Sequence, residues 1–183
     1  MMNNGKNRIW QALYTLPRQE FKAEKQLSGT GIEFYLPTIK RVKQWSDRKK
    51  KVIEPLLRGY IFIHVTEKER LEAVELDSII RSVFDQGRPA RIHDFEIENL
   101  RNFVQDSFVY QVNDGIVKGA KVRICEGPFE GVIGSIVDGS SQKSIYVSLE
   151  FINRTVMAHL TDGTRFEVLT DSQLKEIENE NGK

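Results

Sequence analysis

The segment CEGPFEGVIGSI, residues 125–136, carries three closely spaced glycines. A phosphate-binding Walker A loop needs Lys and then Ser or Thr directly after its last glycine, because the lysine must reach the phosphates. Here Val132 follows the second glycine, and the next lysine is Lys143. The glycines also stand four and three residues apart and precede no predicted helix, so they do not fit the GxGxxG dinucleotide fingerprint. The spacing excludes a phosphate loop and favours a corner between β-strands.

Short apolar runs lie around this segment at intervals of about ten residues. Five of them, separated by glycine or polar turns, predict a small β-barrel over residues 117–170. The glycine segment is then structural: it supplies a turn, a ring that closes one end of the barrel, and glycines that permit a bend and close backbone approach. The residues of this motif are Gly127, Pro128, Phe129, Gly131 and Gly134.

The composition is that of a globular cytoplasmic protein without catalytic chemistry. Of the 183 residues, 39% are hydrophobic and 29% are charged, and no apolar run approaches the roughly 18 residues of a membrane span. The start, MMNNGKNRIW, lacks an apolar signal core. The one cysteine, Cys125, has no partner for a disulfide or a zinc site, and no Gly-x-Ser-x-Gly elbow is present. We therefore expect no enzyme, cofactor or metal. The histidines, all isolated in sequence, are His64, His93 and His159.

The first part of the chain alternates strand-like and helix-like segments, which predicts an α+β domain. Arg8–Thr15 is an apolar strand, and Arg18–Ser28 is predicted to be a helix that turns Phe21 and Leu27 inward. The continuously apolar run YIFIHV, residues 60–65, predicts a central strand.

Local signals place the ends of the later elements. Thr66 followed by Glu69 predicts a capping box at the start of a short helix, and Asp94 is predicted to cap another. We expect a linker over residues 108–116, where NDG interrupts regular structure, and a polar, disordered tail over 171–183.

Charge is distributed unevenly along the chain. Residues 1–110 contain 19 Lys and Arg against 15 Asp and Glu, whereas residues 111–183 contain 8 against 11. Cations concentrate in a predicted hairpin over residues 38–55 and surround one tryptophan there, a pattern suited to phosphate contacts with a stacking ring. The alternative is a solvated charged surface. The residues expected near nucleic acid are Lys40, Arg41, Lys43, Trp45, Arg48, Lys49, Lys50 and Lys51.

The segment KGAKVRICEGPFEGVIGSIV, residues 118–137, resembles the KOW motif of NusG-type transcription factors, and SIYVSLEFINRTVMAHL is similar to the closing strands of their SH3-like barrel. The segments WQALYTLPRQEFKAEKQL, FYLPTIKRVKQW and EPLLRGYIFIHV resemble the NusG amino-terminal (NGN) domain. The resemblance implies an antiparallel NGN sheet flanked by helices over 8–107, a linker over 108–116, a five-stranded KOW barrel over 117–170 and a tail over 171–183.

In this family the amino-terminal domain binds the clamp helices of the largest RNA polymerase subunit and favours a pause-resistant elongation complex. The resemblance implies the same partner here, a monomer, and a basic hairpin near the upstream fork and the non-template DNA. Strand alternation leaves core burial as the other interpretation of some of these positions. The expected polymerase-binding residues are Tyr14, Leu57, Tyr60 and Phe62.

The barrel of this family recruits a small-subunit ribosomal protein or a termination factor. The matching segment is Phe151, Ile152, Asn153 and Arg154, although Phe151 also suits a barrel core. The general factor commonly has phenylalanine and glycine where this chain has Ile152 and Asn153, which leaves the partner of this segment open.

Other departures from the general factor indicate a specialised paralogue. LLRGY, residues 56–60, replaces the more usual phenylalanine-proline-glycine-tyrosine, and the opening segment is similar to that of RfaH. RfaH and the UpxY-type regulators of capsular polysaccharide operons act as antiterminators on particular long operons, and we expect this class of function. A general elongation factor and a ribosome-associated KOW RNA-binding protein are the alternatives.

Overall fold

The computed structural model describes residues 8–45, 48–105, 108–137 and 143–180. Contacts between Cα atoms divide the chain into two compact units. The first holds the described residues of Met1–Thr38 and Leu57–Ile92, and the second those of Ile39–Leu56 and His93–Lys183. The predicted turn of the basic hairpin at residues 46 and 47 lies outside the described residues.

The described chain contains fourteen strands, four α-helices and one short 3-10 helix. In chain order they are β1 (Ile9–Thr15), α1 (Glu20–Ser28), β2 (Glu33–Tyr35), β3 (Thr38–Gln44), β4 (Lys49–Pro55), β5 (Tyr60–Val65), α2 (Glu67–Val74), β6 (Ile79–Ser82), β7 (Phe84–Asp85), β8 (Arg88–Pro89), α3 (Asp94–Phe103), β9 (Tyr110–Asp114), β10 (Ala120–Ile124), β11 (Ile133–Val137), β12 (Ser144–Leu149), the 3-10 helix (Glu150–Ile152), β13 (Arg154–His159), β14 (Phe166–Val168) and α4 (Asp171–Glu180).

The first unit is built on a four-stranded antiparallel sheet in the order β2-β5-β1-β6. One cluster of its core lies on one face, where Leu13, Ile61 and Ile63 of the two inner strands are fully buried together with Leu27 of α1 and Ala73 of α2. The predicted central strand is confirmed, since β5 has a hydrogen-bonded neighbour on each side. The apolar run that predicted it reflects burial on both faces of the sheet.

Helix α1 is confirmed, but the side chain of Phe21 was placed wrongly. Leu27 is fully buried as expected, whereas Phe21 is 42% exposed. The buried positions of α1 are Glu20, Ala23 and Leu27, so the core-facing stripe begins with a carboxylate. The sequence pattern selected Phe21 because only apolar residues were counted as buried. A carboxylate such as Glu20 can be buried when it has a hydrogen-bond partner. Glu20 Oε1 accepts a hydrogen bond from the Gly59 amide at 2.8 Å.

The predicted capping box at the start of α2 is confirmed. The Glu69 amide donates to Thr66 Oγ1 at 3.3 Å, and the Thr66 amide donates to Glu69 Oε2 at 2.8 Å. The Thr66 amide and hydroxyl and the Arg8 guanidinium together lower the pKa of the Glu69 carboxyl to about 2. The carboxylate therefore stabilises the helix start over the whole physiological pH range.

Helix α3 begins one residue earlier than the sequence indicated. Asp94 is its first helical residue, and the capping position belongs to His93, whose amide donates to Glu96 Oε2 at 2.8 Å. Asp94 therefore acts through its charge in the first turn rather than as the cap. Burial raises the pKa of the Glu96 carboxyl, against the effect of the hydrogen bond from the His93 amide. The inward face of α3 is confirmed at Ile97 and Leu100.

The second unit contains a six-stranded antiparallel sheet in the order β14-β10-β11-β12-β13-β9 and a two-stranded sheet of β3 and β4. The five strands expected between residues 117 and 170 are all present. Strand β9 is an addition, because Tyr110–Asp114 was expected to be irregular and instead pairs with β13. The NDG signal marks the end of this strand, where Gly115 takes a φ of +82°.

The glycine segment forms the corner that its spacing predicted. Gly127 has a φ of +87°, which favours glycine. A Cβ on Gly134 would lie 2.7 Å from Ile145 Cγ1 and 2.8 Å from the Tyr146 carbonyl oxygen, so β11 and β12 approach closely there. The ring of Phe129 is buried, with its centroid 5.2 Å from that of Phe103 on α3.

The expectation of a disordered tail is wrong for residues 171–180, which form helix α4. The start of α4 has the two hydrogen bonds of a capping box. The Gln173 amide donates to Thr170 Oγ1 at 3.4 Å, and the Thr170 amide donates to Gln173 Oε1 at 2.9 Å. The polar composition of this segment predicted disorder, because composition alone does not show such reciprocal hydrogen bonds.

Replacing Glu69 by Gln should remove the acid sensitivity that the capping box gives to stability. The folded pKa lies below the ordinary value of 4.5, so the carboxylate stabilises the fold above that value, and the contribution disappears as the pH falls toward about 2. The difference in unfolding free energy between wild type and Glu69→Gln should be largest at neutral pH and shrink below pH 4.5. Urea titrations at several pH values measure it. The control is Glu72→Gln on the same helix, which leaves both hydrogen bonds of the capping box in place.

A second substitution tests the close approach of β11 and β12. Gly134→Ala should lower the unfolding free energy by about 2 kcal/mol, because the new methyl group meets backbone and a packed side chain. Gly163→Asn is the control for backbone strain without crowding, since no atom lies within 4 Å of the added Cβ and asparagine tolerates the positive φ of +83° better than most residues. Equal effects of the two substitutions in urea would contradict the packing explanation.

Candidate functional site

The first candidate surface lies across three strands of the first unit. Tyr14 on β1 is paired with Tyr60 on β5 and with Arg81 on β6. The two tyrosine rings have centroids 5.0 Å apart, and Arg81 Cζ lies 4.8 Å from the centroid of the Tyr14 ring. The half-buried Tyr14 ring is thus held between a second ring and an exposed guanidinium.

The structure buries three of the four residues that the sequence assigned to polymerase binding. Leu57, Tyr60 and Phe62 each expose 8% or less of their surface, and Tyr14 is the accessible member of the set. A partner that approaches this conformation can therefore touch the Tyr14 ring, whereas Tyr60 acts by supporting it. Alternate side chains of β5 point to opposite faces of the sheet, but neither face is open to a polymerase partner, because both are buried.

Hydrogen bonds fix the loop that precedes β5. The Thr15 amide donates to the Gly59 carbonyl oxygen at 2.9 Å, and the Gly59 amide donates to the buried Glu20 carboxylate. The exposed Arg58 precedes Gly59, so this loop holds a cation next to the end of β1.

Arg81 and Glu20 were not identified from the sequence. Arg81 stands in IIRSVF, where only the pairing of β1 with β6 brings it over Tyr14. This pairing includes an irregularity between Tyr14 and Thr15, so the register could not be derived from the side-chain pattern. The sequence places Glu20 in the first turn of a helix. That position indicates a favourable interaction with the helix dipole, but it does not indicate a hydrogen bond to the distant Gly59 amide.

The second candidate surface is the basic hairpin of β3 and β4. The Trp45 amide donates to the Arg48 carbonyl oxygen at 2.8 Å at its end. Trp45 is 49% exposed, and Lys50 Nζ lies 5.5 Å from its ring centroid. Lys43 is ion-paired with Glu54 on the opposite strand. All eight residues that the sequence assigned to nucleic-acid contact are exposed on this hairpin. Phosphate contacts beside one exposed ring are therefore geometrically possible.

The third candidate surface is the segment of residues 151–154. Ile152 is buried, Phe151 is half-buried at the 3-10 turn, and Arg154 Nη1 lies 3.0 Å from Asp114 Oδ1. Asn153 adopts the left-handed conformation, with a φ of 50°. Asparagine enters this region more readily than most residues, which explains how it can occupy a position where glycine is usual.

The described residues contain no group of three or more His, Cys, Asp or Glu side chains that could hold a metal ion. His64 and His159 each have a polar partner, since His64 Nδ1 lies 2.8 Å from Glu33 Oε2 and His159 Nδ1 lies 2.9 Å from Ser144 Oγ. Cys125 is exposed directly after β10. Among the helices of the described chain, none has the length and apolar character needed to span a membrane.

Comparison with known proteins adds a family assignment for the first half of the chain. Residues 8–101, about half of the 183, match the family NusG, described as "Transcription termination factor nusG". This range covers the whole four-stranded sheet and the basic hairpin. No curated protein gives a significant match.

Two solved structures are similar over most of the chain. NusG of Thermotoga maritima, from a study of its domain interaction, has 20% identity and a TM-score of 0.44, with 91% of this chain and 95% of that chain covered. The MjSpt4:Spt5 complex in conformation B has 17% identity and a TM-score of 0.32, with 89% of this chain and 99% of that chain covered.

Proposed function

Because this chain belongs to the NusG family of transcription factors, we propose that it binds RNA polymerase and suppresses pausing or termination. The observation that carries the proposal is the family match over residues 8–101, which contain both the Tyr14 surface and the basic hairpin. The action is one of binding rather than covalent chemistry, with no cofactor, and the protein acts as a cytoplasmic monomer.

The clamp helices of the largest polymerase subunit are the proposed partner of the Tyr14 surface. Tyr14 offers an accessible aromatic ring that Tyr60 and Arg81 hold on two sides, and aromatic and arginine anchors carry much of the energy of protein interfaces. Leu57 and Phe62 support this surface from within the sheet and the adjoining loop, and they contact the clamp directly only if the surface opens.

The basic hairpin is proposed to meet the non-template or upstream DNA. Its cations are exposed on both strands, and Trp45 presents part of a ring that a base can stack on. Lys49 and Lys51 lie on β4 in the arm that returns from the turn. The complementary charge favours binding to the phosphate backbone whatever the base sequence.

The class of target proposed is a small set of long operons, such as those for polysaccharide biosynthesis, as in RfaH and the UpxY-type regulators. The support is the LLRGY segment, in which Arg58 takes the place of the usual proline, and the likeness of the opening segment to RfaH. Occupancy of the protein along the genome tests this: signal confined to a few long operons supports it, and signal across all transcribed genes assigns the general function instead.

A general elongation factor that couples polymerase to a ribosome or termination factor is the second candidate. It is favoured by one observation, the half-buried Phe151 in the turn of residues 150–153, which offers part of an aromatic ring to a partner. In either case we propose that residues 117–170 form a KOW domain. A ribosome-associated RNA-binding protein remains a remote alternative because the cations lie on β3 and β4 and the half from residue 111 onward is acidic.

Tyr14→Ala should weaken binding to RNA polymerase by about thirtyfold, the loss expected for a hot spot of about 2 kcal/mol. Biolayer interferometry with immobilised core polymerase measures the affinity. Phe21→Ala is the matched control, since Phe21 is an exposed aromatic residue on α1 of the same unit. If Tyr14→Ala keeps the wild-type affinity with an unchanged melting temperature, the polymerase surface lies elsewhere.

Neutralising the hairpin should reduce the salt dependence of nucleic-acid binding. Each phosphate contact with a single strand contributes about 0.7 to the slope of log affinity against log salt, so Lys49→Gln with Lys51→Gln should lower the slope by about 1.4. Fluorescence anisotropy with labelled oligothymidine at several salt concentrations measures it. Lys22→Gln with Lys68→Gln removes two exposed cations from helices of the first unit and should leave the slope unchanged. Identical slopes for both double variants would show that the hairpin does not bind phosphate.

A further inference from the structure

A groove of about 830 Å³ lies in the second unit between β3 and β9. Residues 39–42 line one side and residues 108–113 line the other. The Tyr14 surface contributes no residue to it, whereas Lys40 and Arg41 belong to the basic hairpin. All of its residues 108–113 fall where the sequence predicted an irregular linker. The groove is therefore a feature that the fold adds to what the sequence showed.

Both sides of the groove are edges of sheets. β9 ends the six-stranded sheet with β13 as its neighbour, and β3 pairs with β4 in a separate two-stranded sheet. The Gly115 amide donates to the Asn153 carbonyl oxygen, so residues 113 and 111 also bond toward β13, and the backbone groups of Val112 point away from it. The backbone donor and acceptor of Val112 are thus available on the groove side.

A side chain, rather than a ladder of backbone bonds, joins the two edges. Arg41 Nη2 donates to the Tyr110 carbonyl oxygen at 3.5 Å, which is at the long limit of a hydrogen bond. The backbones of β3 and β9 do not pair with each other, because the two strands belong to different sheets. The space between them suits one additional strand, which could bond to an exposed edge and place alternate side chains in the groove.

The groove combines positive charge with exposed branched apolar side chains. Among the described residues, its lining contains Lys40 and Arg41 and no Asp or Glu. Val42, Val109 and Val112 are all exposed, with Val109 at 79%. An extended peptide that alternates acidic and branched apolar residues complements both properties, because successive side chains of a strand point to opposite faces.

We propose that this groove binds an extended acidic segment of a partner protein by strand addition. The peptide backbone bonds to the outward groups of Val112 on β9, and a carboxylate of the peptide takes the Arg41 guanidinium from its long bond to the Tyr110 carbonyl oxygen. The exchange favours the complex, since a guanidinium bonds more strongly to a carboxylate than to a neutral carbonyl. The site shares no residue with the Tyr14 surface and shares Lys40 and Arg41 with the basic hairpin, and the proposal does not depend on polymerase binding.

The aromatic residues of the groove argue for peptide rather than single-stranded nucleic acid. Binding of bases needs ring faces on which they can stack. The Tyr110 ring is buried, and its hydroxyl donates to the Phe103 carbonyl oxygen at 2.7 Å. The centroid of the Phe108 ring lies 4.3 Å from that of the Phe129 ring. Both rings are therefore packed against other aromatic groups rather than presented to a base. The groove presents the backbone edge of β9 and valine side chains, which suit a peptide strand.

The experiment titrates the full chain with a labelled model peptide, acetyl-Gly-Glu-Val-Glu-Val-Glu-Gly-amide, and with the same peptide carrying Lys in place of each Glu. The acidic peptide should bind and shift the amide resonances of residues 109–113 in nitrogen-15 spectra, and the lysine peptide should not bind. Val112→Pro removes the outward amide while keeping the bonds to β13, and prolines are tolerated on edge strands. It should weaken acidic-peptide binding about five- to tenfold.

A pair of valine substitutions provides the matched control. Val109→Glu places a carboxylate in the groove and should weaken the acidic peptide about tenfold or more through like charge and lost apolar contact. Val168→Glu makes the same change at a 63% exposed valine on β14, the opposite edge of the same sheet, and should leave binding unchanged. Circular dichroism melting confirms that each variant folds.

Three outcomes would overturn the proposal. The first is equal binding of the acidic and lysine peptides. The second is an equal effect of Val109→Glu and Val168→Glu in folded protein. The third is that labelled oligothymidine, and not the acidic peptide, shifts the resonances of residues 109–113, which would assign the groove to nucleic acid.

Discussion

The first unit depends on one constraint on β5: its backbone must be hydrogen-bonded at both edges while its side chains are packed on both faces. Its backbone pairs with β1 and β2, and its side chains are buried on both faces of the sheet, with His64, the residue before the last, as the partly exposed exception. A strand in that position has almost no freedom in register, because a slip by one residue would move every side chain to the opposite face, into a packing position shaped for a side chain of different size. The position of Tyr14 follows from this, since its partner across the strand pair is Tyr60. The candidate surface is accordingly built on the most constrained strand of the sheet.

The second unit is held by a different kind of contact, in which polar side chains complete backbone bonds. Asn99 of α3 donates to the Ile133 carbonyl oxygen and accepts from the Ile133 amide, both at 2.7 Å, and so binds the start of β11 like one more strand residue. Beside it Phe103, Tyr110 and Phe129 form an aromatic cluster. The corner glycines place Phe129 in that cluster, so the motif that predicts the fold also forms part of the core that stabilises it.

Much of the fold was predictable because its signals are local. The capping box of Thr66 and Glu69, the apolar run of β5 and the glycine corner each depend on residues close together in sequence, and the structure confirms all three. What failed depends on distant partners. Strand β9 is stabilised by β13, about forty residues away, and its own composition is too polar to indicate a strand. The assignment of Arg81 to the Tyr14 surface likewise needs the pairing of β1 with β6.

The bond between the Glu20 carboxylate and the Gly59 amide has a consequence for how sequences of this kind can diverge. A proline at position 58 would stiffen the loop before β5 covalently, whereas this chain has Arg58 and holds the next residue through a buried side chain on α1. Loss of Glu20 alone would leave an amide without its partner and a loop without its restraint. Positions 20 and 58 are therefore physically coupled: a proline at position 58 would make the loop depend less on the Glu20 carboxylate, whereas Arg58 leaves that restraint to the hydrogen bond.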